Sequence, residues 1–387
     1  MNPEGEDKLQ SMAALAEIAQ AFLWLGFVAF GGPAAHIALM EGEFVRRRAW
    51  VTRERFLDLI GAVSLLPGPS STELAIYLGQ VRGGLPGLIV AGAAFILPAA
   101  LLVVGLAWAY VRFGAVPQVG GLLFGAKPVV VVLIAQAIWL LGKSALRTLQ
   151  LAALAAVVIA LSAFGAPALA LLIGAGVVWI VLKEARTLRT KSSTILPILG
   201  RTVVNPSAAI TAGLAPVFLY FLKVGAVLFG SGYVLLALLR ADLVVRLHWL
   251  TDVQLLDAIA VSQATPGPFF TVATFIGYLL GGWRGAGLAT AGMFVPAFVY
   301  VAATANFLPG LRQSKLAGAF LDGVNAGAVA LMAFVGWQFA RATLVSVPAL
   351  VLAAISGILV FRYRVNSARV IAGAALAGLV LSFLHWN

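Results

Sequence analysis

The chain has 387 residues, 62% of them hydrophobic and only 10% charged, with a mean hydropathy of +1.02. That composition excludes an ordinary soluble domain and places the chain among polytopic membrane proteins. Its net charge of +12 sits in short basic clusters between apolar segments, the pattern of positive-inside loops, so the expected surroundings are membrane lipid and no nucleic acid.

Met1 to Gln10 is acidic and lacks the basic start of a cleavable signal peptide. An apolar segment from about Ala13 to Phe30 approaches bilayer-crossing length. It ends at Gly31-Gly32-Pro33, and Ala34 to Val45 is too short to span. A basic group follows: Arg46, Arg47, Arg48, Arg53 and Arg55. Phe56 to Leu66 and Ser70 to Gln80 are each roughly half a span, joined at Pro67-Gly68-Pro69. A Pro-Gly-Pro triplet cannot continue a helix, so the pair reads as a re-entrant hairpin. Fuller spans are predicted near Leu85 to Val111, Val119 to Leu141, Leu149 to Phe164 and Ala168 to Leu182.

Lys183 to Pro206 reads as a basic cytoplasmic linker between two transporter repeats, 1–182 and 207–387. Beyond it the pattern restarts, with apolar pieces at Ser207 to Phe229 and on to Leu239, then Asp242 to Asp252 and a second break at Pro266-Gly267-Pro268. Spans follow near Gly285 to Leu308, Leu316 to Phe339, Leu344 to Phe361 and Ile371 to Trp386. At a constant spacing of 199, Gly26 matches Gly225, Trp50 matches Trp249, Asp58 matches Asp257 and Thr72 matches Thr271. One deletion shifts the spacing to 198, where Gly83-Gly84 meet Gly281-Gly282, Pro98 meets Pro296 and Trp139 meets Trp337. The predicted fold is therefore an all-α polytopic membrane protein of two homologous repeats, each with about five spanning helices and a Pro-Gly-Pro re-entrant hairpin. An odd number of crossings per repeat inverts the second half. The weaker basic bias of the loop from Arg240 to Asp252 favours inverted over parallel repeats, although Arg284 and Arg341 then fall outside.

Broken helices in matched positions of two halves point to a transport site. Helices that begin at Pro33 and Pro69 aim unpaired amides and positive dipole ends into the protein, which suits an oxyanion. The candidate binding residues are Gly31, Gly32, Pro33, His36, Pro67, Gly68, Pro69, Ser70, Ser71, Thr72 and Lys127. The second half contributes Gly230, Ser231, Gly232, Pro266, Gly267 and Pro268, with Phe269 and Phe270 where the first half has serines. Buried acids are costly in a membrane, so Glu73, Asp58 and Asp257 are candidates for proton coupling. Asp58 has a structural alternative as an interfacial cap or pair. Lys127 would either balance a dianion or pair with Glu73 or Asp58. His36 would be a donor, a proton relay or a packed histidine.

Without cysteines there is neither a disulfide framework nor thiolate metal ligation. No H-E-x-x-H, G-x-S-x-G or Walker pattern appears, so neither a catalytic site nor a cofactor is expected. A membrane-embedded enzyme is the reading from a different class.

The chain resembles the long, two-domain members of the chromate ion transporter family over nearly its whole length. The resemblance rests on Phe30-Gly31-Gly32-Pro33-Ala34-Ala35-His36-Ile37, on Leu66-Pro67-Gly68-Pro69 with Leu74-Ala75-Ile76-Tyr77-Leu78-Gly79, on Phe95-Ile96-Leu97-Pro98, and on the second copies around Phe229 and Thr265. Where members of that family often carry Gln in and beside the first hairpin, this chain has Ser64 and Glu73. The resemblance implies export of chromate across the bacterial inner membrane by two halves of opposite orientation. Sulfate is the obvious competitor, and monomer and homodimer both remain open.

Overall fold

The computed structural model describes residues 3–114, 116–188, 213–228, 232, 234–304 and 315–384, with side chains from Met12 onward except at 184–188 and 315. All regular structure among them is helical. The first half contributes α1 (Pro3–Val28), α2 (Gly32–Met40), α3 (Arg53–Val63), α4 (Ser70–Phe113), α5 (Pro117–Ala145), α6 (Leu149–Ala163) and α7 (Ala168–Leu188). The second contributes α8 (Leu214–Val227), α9 (Val234–Leu239), α10 (Asp252–Ala264), α11 (Val272–Thr304), α12 (Lys315–Thr343), α13 (Val347–Gly357) and α14 (Ser367–Phe383). The basic stretch expected as a linker lies outside the described residues from position 189 onward.

Among the described residues, four helices are long and apolar enough to cross a membrane: Ser70–Phe113, Pro117–Ala145, Phe269–Thr304 and Leu316–Thr343. The longest is not one rod. Gly83 (φ −139°, ψ 20°) and Gly84 (φ 61°, ψ −153°) leave helical geometry and divide α4 into arms 70–82 and 85–113. These arms fold back on each other, because a Cβ on Gly79 would strike the Gly87 carbonyl and the Ala91 methyl. α11 repeats the device at Gly281 and Gly282 (φ 58°, ψ −148°), with Gly277 crossing Gly285. The missing Cβ atoms let the backbones touch, as in close membrane-helix crossings.

The repeat is legible in the backbone down to single residues. α2 and α9 each run on into one π-helical turn, Glu41–Arg47 and Arg240–Arg246. Two residues beyond each turn stands a non-glycine residue at positive φ, Ala49 (50°) and His248 (51°). The Trp50 and Trp249 amides then donate back to the Phe44 and Leu243 carbonyls, both at 2.8 Å. Thr52 and Thr251 cap the next helices through their side chains.

The halves are interlocked. α5 of the first half packs on α14 of the second, and its counterpart α12 packs on α7. At the first crossing Gly125 sits against the Ala374 carbonyl; at the second Gly323 sits against that of Ala175. One apolar core collects α1 to the first part of α4 with Ala297 and Val301 of α11. A larger one unites the second half with α5, α6 and α7.

Overpacking a tight core costs about 1–3 kcal/mol. In a chain of this length Gly125→Ala and Gly323→Ala should therefore each lower the melting temperature in detergent by roughly 1–4 °C. Gly105→Ala, whose added methyl meets nothing within 4 Å, should leave it unchanged. Tryptophan fluorescence melts of the three variants would check this.

Candidate functional site

Each half places two interruptions close together. In the first, α1 stops at Val28 and α2 restarts after Gly31 (φ 100°) and Gly32 (φ 79°), with Pro33 in its first turn. α3 stops at Val63, and α4 restarts at Ser70 after Pro67, Gly68 and Pro69. Gly68 has φ 141° and Gly267 φ 90°, values that L side chains rarely adopt.

These two glycines bind the halves to each other. The Gly68 amide donates to the Leu228 carbonyl at 2.7 Å, and the Gly267 amide donates to the Ala29 carbonyl at 2.8 Å. Ala29 and Leu228 are repeat mates at the ends of α1 and α8. Thus the break in each half uses its freed donor on an acceptor left over at a helix end of the other. Such groups are expensive to leave unpaired in an apolar interior.

His36 joins this crossing. Its Nε2 lies 3.0 Å from the Ala29 carbonyl, the same oxygen that accepts from Gly267. A carbonyl only accepts, so Nε2 carries the hydrogen, and in the neutral ring Nδ1 accepts from the Ser71 hydroxyl at 3.2 Å. The ring edge also packs on Phe95. A serine beside a histidine resembles the core of a hydrolase triad, but the outer nitrogen is held by a shared carbonyl instead of a carboxylate. The pair braces the second interruption against the first.

Next to the brace lie groups with no such satisfaction. Thr72 and Glu73 are completely buried, at 0% exposure. The Thr72 hydroxyl and both Glu73 carboxylate oxygens have no hydrogen-bond partner among the described residues. The Glu73 side chain curls back over the start of its own helix, since a Cβ on Gly68 would come within 2.5 Å of its Oε1. No side chain caps α2 or α4. Positive dipole ends, a free hydroxyl and a carboxyl group therefore converge at one break. The second half differs here. The Thr271 hydroxyl donates to the Pro268 carbonyl at 2.9 Å, and Phe269 and Phe270 are buried, with Phe270 close against Gly232. Pro266, Gly267 and Pro268 are buried with them, whereas Gly230 and Ser231 lie outside the described residues. In the first half Ser70 and Pro67 are partly buried.

Lys127 goes to a second cluster. Its Nζ is 3.1 Å from Asp257 Oδ1, and the Tyr110 hydroxyl donates to Asp257 Oδ2 at 3.1 Å. The pair spans the halves, with Lys127 on α5 and Asp257 on α10. Neither acid expected to pair with Lys127 is the partner observed. The expectation weighed acids of the same half, but α5 faces α10 of the other. Asp58, the mate of Asp257, is exposed on α3. Tyr110 was missed because it reads as the interfacial end of an apolar span. Among the described residues no group of acids and histidines could hold a metal ion.

A family model described as Chromate transporter matches the chain twice, at residues 16–180 and 215–379. The chain is similar to the chromate transport protein of Cupriavidus metallidurans, 32% identical over 95% of this chain and 93% of that protein. It is likewise similar to the chromate transport protein of Pseudomonas aeruginosa, 33% identical over 92% of this chain and 90% of that one. The uncharacterized transporter YwrA of Bacillus subtilis matches 33% of this chain with 72% of its own length, at 31% identity. No solved structure matches the chain.

Removing one partner of a buried ion pair typically costs about 3–5 kcal/mol, because the other charge is left uncompensated. Asp257→Asn alone should be strongly destabilising, and adding Lys127→Met should restore part of the loss. A double-mutant cycle of melting temperatures in detergent would check this, and simple additivity would show the pair to be uncoupled.

Proposed function

Because the chain belongs to the chromate transporter family, a family of integral membrane carriers and not of enzymes, we propose that it exports chromate across the bacterial inner membrane as a secondary transporter. The observation that carries this reading is the pair of crossed helix breaks with the unpartnered Thr72 hydroxyl and Glu73 carboxyl beside an uncapped helix start. A tetrahedral dianion needs converging donors and positive partial charge in a dry place. Backbone amides at the starts of α2 and α4, with the Thr72 and Ser70 hydroxyls, supply them.

In this reading Glu73 is the coupling group. Charged, its carboxylate occupies the positive helix end that the substrate anion would use, and the two repel at close range. Protonated, it gives way and offers a donor. Anion binding and proton uptake are then linked, so a proton gradient or the membrane potential can drive transport. Lys127 with Asp257 forms a neutral bridge across the halves that holds the site shut on one side. The α3 and α4 pieces around Pro67-Gly68-Pro69 form a re-entrant hairpin, and α10 with the first arm of α11 forms its inverted counterpart. The two repeats run in opposite orientations, joined by a cytoplasmic basic linker. Rocking one half against the other about the Gly68–Leu228 and Gly267–Ala29 contacts gives alternating access.

The test is flux of labelled chromate and sulfate in sealed vesicles holding purified protein, with and without a pH gradient. Chromate flux should rise with the gradient, and Glu73→Gln should abolish that response while exchange at equal pH persists. Thr72→Val should weaken chromate binding about tenfold, the loss of roughly one charge-assisted hydrogen bond. Sulfate moving in place of chromate would reassign the substrate. A full pH response in Glu73→Gln would remove the coupling role.

A further inference from the structure

The first arm of α4 carries more polar groups than its packing needs. Glu73, Tyr77 and Gln80 stand at i, i+4 and i+7, which a period of 3.6 places on one face within about 60°. Tyr77 is 2% exposed. Its hydroxyl, the Gln80 Oε1 and both Glu73 oxygens are buried with no hydrogen-bond partner among the described residues. Leaving such an atom unsatisfied in an apolar interior is costly. The fold does not demand the buried carboxyl and phenol, because at the same glycine crossing the matching arm of α11 carries Thr271, whose hydroxyl is satisfied by the Pro268 carbonyl, then Phe275 and Tyr278 on the equivalent face.

The row has a direction. It starts at the Pro-Gly-Pro break and climbs about 10 Å to Gln80, which is partly exposed beside exposed Val81 and Arg82. There α4 turns at Gly83 and Gly84, and Arg82 pairs with Glu17 of α1 at 2.9 Å. A phenol accepts and donates at one oxygen, so Tyr77 can pass a proton, while the Gln80 carboxamide accepts at oxygen and donates at nitrogen and so can order the bridging waters that carry it.

We propose that Gln80 and Tyr77 form the proton path from the Arg82 end of the protein to Glu73. This rests on the reading of Glu73 as the coupling group and adds the route by which its proton arrives. The groups facing the row from neighbouring elements are few. His36 of α2 approaches through Ser71, Tyr300 of α11 lies within electrostatic reach of Glu73, and Arg55 of α3 does so for Tyr77. Glu17 neutralises Arg82 at the outer end. None of these continues the row on the same helix face, so the path runs along α4 itself.

The experiment uses full-length protein in sealed vesicles and two readouts. One is chromate–chromate exchange at equal pH, which moves no net proton; the other is chromate flux driven by a pH gradient. Tyr77→Phe and Gln80→Leu should leave exchange within twofold and reduce gradient-driven flux at least tenfold, while Gln80→Glu, which keeps a relay group, should retain the wild-type response. If the Tyr77→Phe/Gln80→Leu double variant keeps gradient-driven flux within twofold while Glu73→Gln loses it, the path is wrong and the coupling role of Glu73 stands. If Glu73→Gln also keeps its pH response, the coupling role fails first and the path falls with it.

Discussion

The structure depends on a reciprocal pair of backbone hydrogen bonds. A membrane protein can interrupt a helix only if something satisfies the groups that the interruption frees. Here each half supplies what the other lacks. The Gly68 amide finds the Leu228 carbonyl, and the Gly267 amide finds that of Ala29. Neither break would be tolerable alone in an apolar interior, so each half depends on the other at this crossing. The Ala29 oxygen is used twice, by Gly267 and by His36, which ties the first interruption of the first half to both Pro-Gly-Pro triplets.

On that symmetric backbone the side chains diverge. The second half fills its break with Phe269 and Phe270 and turns the Thr271 hydroxyl inward onto Pro268. The first leaves the Thr72 hydroxyl and the Glu73 carboxyl, both fully buried, with no hydrogen-bond partner among the described residues. Duplication thus made a scaffold of two equivalent breaks, and divergence assigned them different work. One is packed for stability, and the other keeps the polar groups on which the proposed transport chemistry depends.

Much of this was legible in the sequence because glycine, proline and tryptophan announce backbone geometry. The Pro-Gly-Pro triplets, the Gly83-Gly84 and Gly281-Gly282 turns and the spacing of 199 all reappear as positive φ values, helix ends and matched kinks. Pairings between halves were not legible. Nothing local says that Lys127 reaches Asp257, since that depends on which helix of the other half lies beside α5. The exchange of α7 and α14 is hidden for the same reason. Nor does a tyrosine within an apolar run reveal whether its hydroxyl meets an acid, as in Tyr110, or has no hydrogen-bond partner among the described residues, as in Tyr77.

The exchange of helices between halves also sets the order in which the chain can mature. α7 packs on α12 and α14 on α5, so each half closes its flank with a helix from the other. When α7 leaves the ribosome, α12 has not yet been made, and α5 still waits for α14. The first half must therefore persist as a set of loosely docked segments until α14 has been made. Assembly is then a single late event in which contacts far apart in sequence form together. A stop codon just before α14 would remove the groove partner of a helix made more than two hundred residues earlier.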